Sequence, residues 1–208
     1  ENAGRKITEE CRAKHVTLVA VSKTKPVEDI LALYSLGQRD FGENYVQELA
    51  SKYELLPKDI NWHFIGHLQS NKVKYIASFV HLIHGVDSEK LLKEINKQGS
   101  KLNKQIPCLL QVHISAEETK FGFNEAELDS LILKLKINEA DFKNVLVKGL
   151  MGMASFTEDN DLIKKEFGHL KMLYDKYAKP STFNLQLTTL SMGMSADFQF
   201  ALDAGSNM

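Results

Sequence analysis

The stretch "VTLVAVSKTKP", Val16 to Pro26, runs a nearly unbroken apolar segment into two lysines before a proline ends it. A lysine delivered by a strand into apolar surroundings has chemistry available: burial disfavours its charged form, and a neutral amine adds to carbonyl carbon. The plain alternative is a strand tip whose charges reach water. Lys23 lies just beyond the apolar run. Lys25 has the same strand parity, so alternation does not choose between them, but Pro26 confines Lys25 to extended geometry and turns it toward solvent.

Three further stretches carry groups with chemical use. In "LSMGMSADF", Leu190–Phe198, small residues lead from a strand end into a helix that Ser195 can cap. Free N–H groups at such a start, around Met194, bind phosphate, and the Ser195 hydroxyl adds a contact; a plain N-cap, with Met192 and Met194 as core, is the other reading. In "FGENYVQE", Asn44 can donate to and accept from a ligand oxygen, or cap the helix that follows. "WHFIGHLQSNK" places His63 and His67 four apart, a zinc spacing on a helix. His63 sits in a strand-like run, so the pair does not converge, and no metal site is expected. His81, His84, His113 and His169 read as structural or exposed. Nucleophile-elbow, P-loop and dinucleotide glycine motifs are absent from the sequence.

The elements that position these groups alternate. Apolar runs at Val16–Val21, Asp40–Gly42, Trp62–Ile65, Phe79–Val86, Cys108–Ile114, Val145–Met151 and Leu185–Leu190 read as strands. Between them amphipathic segments at Val27–Leu36, Tyr45–Leu55, Asn71–Ala77, Glu89–Leu102, Glu125–Ile137 and Leu162–Ala178 read as helices. In the fourth, Ser88 is the N-cap and Leu91, Leu92 and Ile95 share a face; Gly37 stops the first. Strands joined by helices run parallel, so the class is α/β. Functional-looking residues follow almost every strand, which favours a (β/α)8 barrel of the TIM type over a doubly wound sheet. The seven runs leave such a barrel one strand short, and an eighth is expected beyond Met208. One domain over residues 1–208 is expected.

Composition narrows the partners. With 26 basic and 27 acidic residues the net charge is -1, which offers no general attraction to nucleic acid or an anionic membrane. Two distant cysteines, Cys11 and Cys108, suggest no disulfide framework, and no apolar stretch has spanning length. A cytoplasmic protein is expected.

Taken in order, "AVSKTKP", "GQRDFGENYVQE", "WHFIGHLQSNK", "IHGVDS", "ETKFGF", "GLMGMA" and "LSMGMSADF" resemble the pyridoxal phosphate homeostasis protein family. That family is similar to the N-terminal barrel of alanine racemase, fold type III of the pyridoxal 5'-phosphate (PLP) proteins, without the racemases' second domain. The resemblance implies PLP as cofactor, held as an aldimine on Lys23, with Ser195 and the backbone around Met194 at its phosphate. It also implies Asn44 near the cofactor, His63 on a strand facing the same site, and Lys120 near the mouth as a second lysine that accepts or hands over PLP. A closing "VRIG"-like strand of the family is absent from this sequence.

The resemblance implies a monomeric, non-enzymatic PLP carrier in vitamin B6 homeostasis, with PLP-dependent apo-enzymes as acceptors. The alternatives are a PLP-dependent amino-acid racemase and, from another class, a Schiff-base aldolase acting on a sugar phosphate.

Overall fold

The structure, a computed structural model, describes residues 2–117, 121–137, 139–179 and 186–208; Lys120 lies outside the described residues. The elements run α1 (Asn2–Ala13), β1 (Ala20–Val21), α2 (Val27–Ser35), β2 (Asp40–Glu43), α3 (Val46–Leu55), β3 (Asn61–Phe64) and β4 (Leu82–Val86). They continue with α4 (Glu89–Lys101), β5 (Ile106–Gln111), α5 (Glu125–Ile137), β6 (Val145–Gly152), α6 (Asn160–Ala178), β7 (Thr189–Met192) and α7 (Phe198–Asp203). Seven strands form one sheet in chain order. The pairs β1–β2, β2–β3, β3–β4 and β6–β7 are parallel, as helical connections require.

The chain divides into two compact units, one of residues 19–108 with 143–146, the other of 1–18, 109–142 and 147–208. In the first, Val21 lies opposite Gly42 and Gly42 opposite His63, so these share one sheet face. Phe41, Trp62, Glu43 and Phe64 alternate onto the other face; Phe41, Trp62 and Phe64 are buried there, as is Leu49 of α3. Such burial contributes roughly 1.5–3 kcal/mol per large side chain. Ser88 caps α4, its Oγ accepting from Leu91 N–H at 3.3 Å, and Gly37 stops α2 at φ 96°.

In the second unit β6 and β7 pair with Gly149 opposite Thr189. A Cβ on Gly149 would lie 1.6 Å from the Thr189 carbonyl oxygen, so only glycine allows this approach. The buried Glu166 of α6 accepts the N–H of Ala116 (2.9 Å), the N–H of Ser155 (2.7 Å) and its hydroxyl (2.7 Å), joining the segments after β5 and β6. Cys108 is core, as its setting suggests, and burial pushes its thiol up to about 12.

Boundaries differ from the sequence expectation where pairing rather than hydropathy decides. Of Val16–Val21 only Ala20 and Val21 pair as strand, while Thr17 N–H donates to the Asn207 carbonyl. The helix expected at Asn71–Ala77 is a 3₁₀ turn, Ser70–Tyr75, tight enough to bury Val73. The run expected at Leu185–Leu190 begins outside the described residues, and its strand is Thr189–Met192.

Candidate functional site

Strand β1 ends in a β-turn. Ser22 N–H continues the ladder to the Gly42 carbonyl (2.9 Å), and Lys25 N–H closes the turn on the Ser22 carbonyl (3.0 Å). Thr24, at the third turn position, has φ 62°. That is left-handed geometry, which a β-branched residue adopts only under constraint. The constraint is visible: Thr24 N–H donates to Glu48 Oε1 at 2.7 Å. Lys23 occupies the second position, exposed, with neither hydrogen bond nor ion pair among the described residues.

A buried ion network holds the turn from below. Lys52 Nζ donates to the Ser22 carbonyl (2.6 Å), to Glu43 Oε1 (2.6 Å) and to Glu48 Oε1 (2.7 Å). Ser22 Oγ donates to the same Glu43 oxygen at 2.6 Å, and Glu43 Oε2 is buried with no partner. Burial pushes the Glu43 carboxyl up, and the hydrogen bonds from Lys52 and Ser22 offset only part of that. For Glu48 burial acts in the same sense but is outweighed by the bonds from Lys52 and Thr24 N–H, so its carboxyl lies below the usual range.

Asn44 follows the end of β2, the strand paired with β1. The helix cap position of α3 belongs to Tyr45, with no side-chain cap bond, so Asn44 does not serve as the helix cap. Its amide has no partner among the described residues, and Gly66 packs so closely that a Cβ there would meet the Asn44 carbonyl at 2.4 Å. His63 is placed differently. Its ring is fully buried, with Nδ1 2.8 Å from His84 Nε2 and Nε2 3.0 Å from Asp40 Oδ1. Asp40 begins β2 whereas Asn44 follows its end, roughly 13 Å away at strand rise. Burial, with the charges of His63 and His81, holds the His84 imidazole well below the usual histidine range, so it is neutral.

In the other unit, Met194 and Ser195 lie exposed between β7 and α7. The helix begins at Phe198, later than expected, and its cap position is Asp197 rather than Ser195. Asp197 Oδ1 accepts Met194 N–H, so that N–H is already used and a carboxylate stands beside it. The Ser195 hydroxyl has no partner among the described residues. Gly193 takes φ 94°, and a Cβ there would meet Ala201 Cβ at 2.5 Å.

Sequence reasoning missed the network under the lysine turn. Its signal was available: Lys52 falls on the stripe of Val46 and Leu49, a buried helix position, with Glu48 one turn earlier. His81 and Asp40 were also missed as neighbours of His63. They approach only because β2, β3 and the segment before β4 lie side by side.

Comparison with known proteins places the chain in a family. The family model described as "Alanine racemase, N-terminal domain" matches residues 4–208. The "Pyridoxal phosphate homeostasis protein" of Aquifex aeolicus is 39% identical over 192 residues, 92% of this chain and 82% of that one. Its namesake in Schizosaccharomyces pombe is 38% identical over 204 residues, 97% and 83% of the two chains. Among solved structures, PipY of Synechococcus elongatus is 31% identical over 100% of this chain and 95% of that one, with TM-score 0.88 without PLP and 0.86 with PLP bound. Alanine racemase from Streptomyces coelicolor, 12% identical with TM-score 0.70 over 92% of this chain and 51% of that one, shares the fold. The chain therefore belongs to the alanine racemase N-terminal domain family and, within it, to the pyridoxal phosphate homeostasis proteins.

Proposed function

We propose that the chain binds PLP through the Lys23 amine and acts as a non-catalytic carrier in intracellular PLP homeostasis. The observation that carries this reading is a pinned turn presenting an unpaired amine. Ser22 and Thr24 on either side of Lys23 are fixed by Glu43, Glu48 and Lys52, while Lys23 itself is uncommitted. Restricting the backbone but leaving the amine free suits capture of a carbonyl ligand at low ordering cost. The curated relatives' name and the PLP-bound PipY structure support the PLP-binding and homeostasis parts of this reading.

The residues present fit the group in part. Lys23 supplies the nucleophile, and the unpaired Asn44 amide offers a hydrogen bond to a ligand oxygen. Ser195 and Met194, which the resemblance places at the phosphate, lie in the other unit, where Asp197 already accepts Met194 N–H and its carboxylate works against an anion. In this reading His63 belongs to an internal polar chain and is left out of the cofactor set. The bound cofactor supplies an aldehyde carbon to which an amine adds with loss of water. The ionisable groups under the turn are committed to one another, which leaves them poorly suited to shuttle a substrate proton.

Borohydride reduction of the PLP-treated full chain, followed by peptide mass spectrometry, tests the assignment. A pyridoxyl adduct is expected on Lys23 and not Lys25, and Lys23→Ala should abolish the Schiff-base absorption band while Lys25→Ala retains it. An adduct on Lys25 would overturn the site. Sustained interconversion of single-enantiomer amino acids, read by chiral chromatography, would replace the carrier with a racemase.

A further inference from the structure

Asp40, His63 and His81 each offer one ligand atom, and these atoms lie within 4.8 Å of one another. We propose that these three residues bind a divalent transition-metal ion, zinc by preference, as a clasp joining β2, β3 and the segment that leads into β4. The cluster lies wholly within the unit of residues 19–108 and does not rest on the PLP reading.

The donor set is two imidazoles and one carboxylate, which suits zinc and its neighbours and disfavours magnesium or calcium. Ligand atoms of a tetrahedral zinc site lie about 3.4 Å apart, given metal–ligand bonds of about 2.1 Å. His63 Nε2 and Asp40 Oδ1, at 3.0 Å, already approximate that spacing. His81 closes the remainder: its ring centroid is 5.2 Å from that of His63, and it is exposed, so a small side-chain rotation brings its nitrogen in.

The surroundings have the features such sites need. The far nitrogen of His63 is 2.8 Å from His84 Nε2, the kind of outer partner that orients a ligating imidazole; on metal binding the His63 proton resides on Nδ1, facing His84, and Nε2 presents its lone pair. Asn61 Nδ2 donates to Asp40 at 3.1 Å, fixing the carboxylate. Two ligands therefore sit preorganised on paired strands, and the third, on the surface, provides the way in. Three protein ligands leave a fourth position for water.

Metal-stripped full-length protein, titrated with zinc chloride against a chromophoric chelator, tests this. One equivalent is expected to bind. His81→Ala and Asp40→Asn should each weaken binding at least about tenfold, His84→Asn about 10- to 100-fold through the outer bond, and His67→Ala not at all. Circular dichroism of the exposed-site variant His81→Ala checks that its fold is kept. Cobalt loading should give visible ligand-field bands without a thiolate charge-transfer band. Substoichiometric zinc, wild-type affinity in both His81→Ala and Asp40→Asn, or a thiolate band would each overturn the site.

Discussion

Replacing Lys52 with Met removes one ammonium that makes three hydrogen bonds in a nearly closed space, its side chain 7% exposed beside a Glu43 that is 0% exposed. Afterwards Glu43 Oε1 keeps only the Ser22 hydroxyl, Oε2 still has nothing, and the Ser22 carbonyl loses its ammonium donor. Breaking a buried pair from one side costs about 3–5 kcal/mol. Burial already favours the protonated form of Glu43, and taking up a proton relieves part of the cost, so the lower end, about 3 kcal/mol, is expected. For a chain of this size that is roughly 6–12 °C in Tm. Glu43→Leu alone should cost about 1–2 kcal/mol, because Lys52 keeps Glu48 and the Ser22 carbonyl. The double variant should cost about 1.5 kcal/mol, which implies a coupling of about 3 kcal/mol. Urea titration followed by circular dichroism closes the cycle. The same samples, titrated with PLP, should show Lys52→Met needing more PLP to develop its absorption band, since the Ser22 carbonyl and the Glu48 carboxylate that hold the turn then lose their shared ammonium. A Lys52→Met loss under about 1 kcal/mol, or additive single variants, would refute the reasoning.

Two other outcomes follow from the second unit. Gly149→Ala drives a methyl into the Thr189 carbonyl, so β6 and β7 must part there, and a loss of about 3 kcal/mol is expected by urea denaturation; wild-type stability would contradict the close approach. Asp129 accepts hydrogen bonds from Lys176 (3.0 Å) and the Tyr177 hydroxyl (2.9 Å), and the Lys176 bond above all holds its carboxyl below the usual value against opposing burial. A depressed carboxylate stabilises the fold above its unfolded pKa, and that contribution fades as pH falls through the folded value. Asp129→Asn should therefore lose at most about 1 kcal/mol at pH 7, the pair being partly exposed, and converge on wild type as pH falls through the folded value. A gap that does not shrink as the solution is acidified would sink the assignment.

Much of the fold was legible from periodicity. The segments at Val27, Glu89 and Glu125 became helices within a residue or two of their expected ends, since a stripe such as Leu91, Leu92 and Ile95 has one way to bury itself. Strand ends were less legible, because a strand is defined by a partner that hydropathy does not name: Val16–Leu18 are apolar but take no place in β1. Lys23 could be singled out because a charge following an apolar run is a local anomaly. Ser195 could be noticed as a capping residue between a strand end and a helix, but that role could not be assigned, since Asp197, two residues on, competes for the same position.

The linear chain by itself determined the α/β alternation, the lysine at the first strand's tip and the family, because these rest on local period and residue order. Tertiary structure alone decided which groups meet. Lys52 reaches Glu43, nine residues before it, and the Ser22 carbonyl, 30 before it. His63 finds Asp40 and His84 across parallel neighbours, 23 and 21 residues away. Parallel pairing brings together residues a whole helix apart, and no pattern within one segment records that distance.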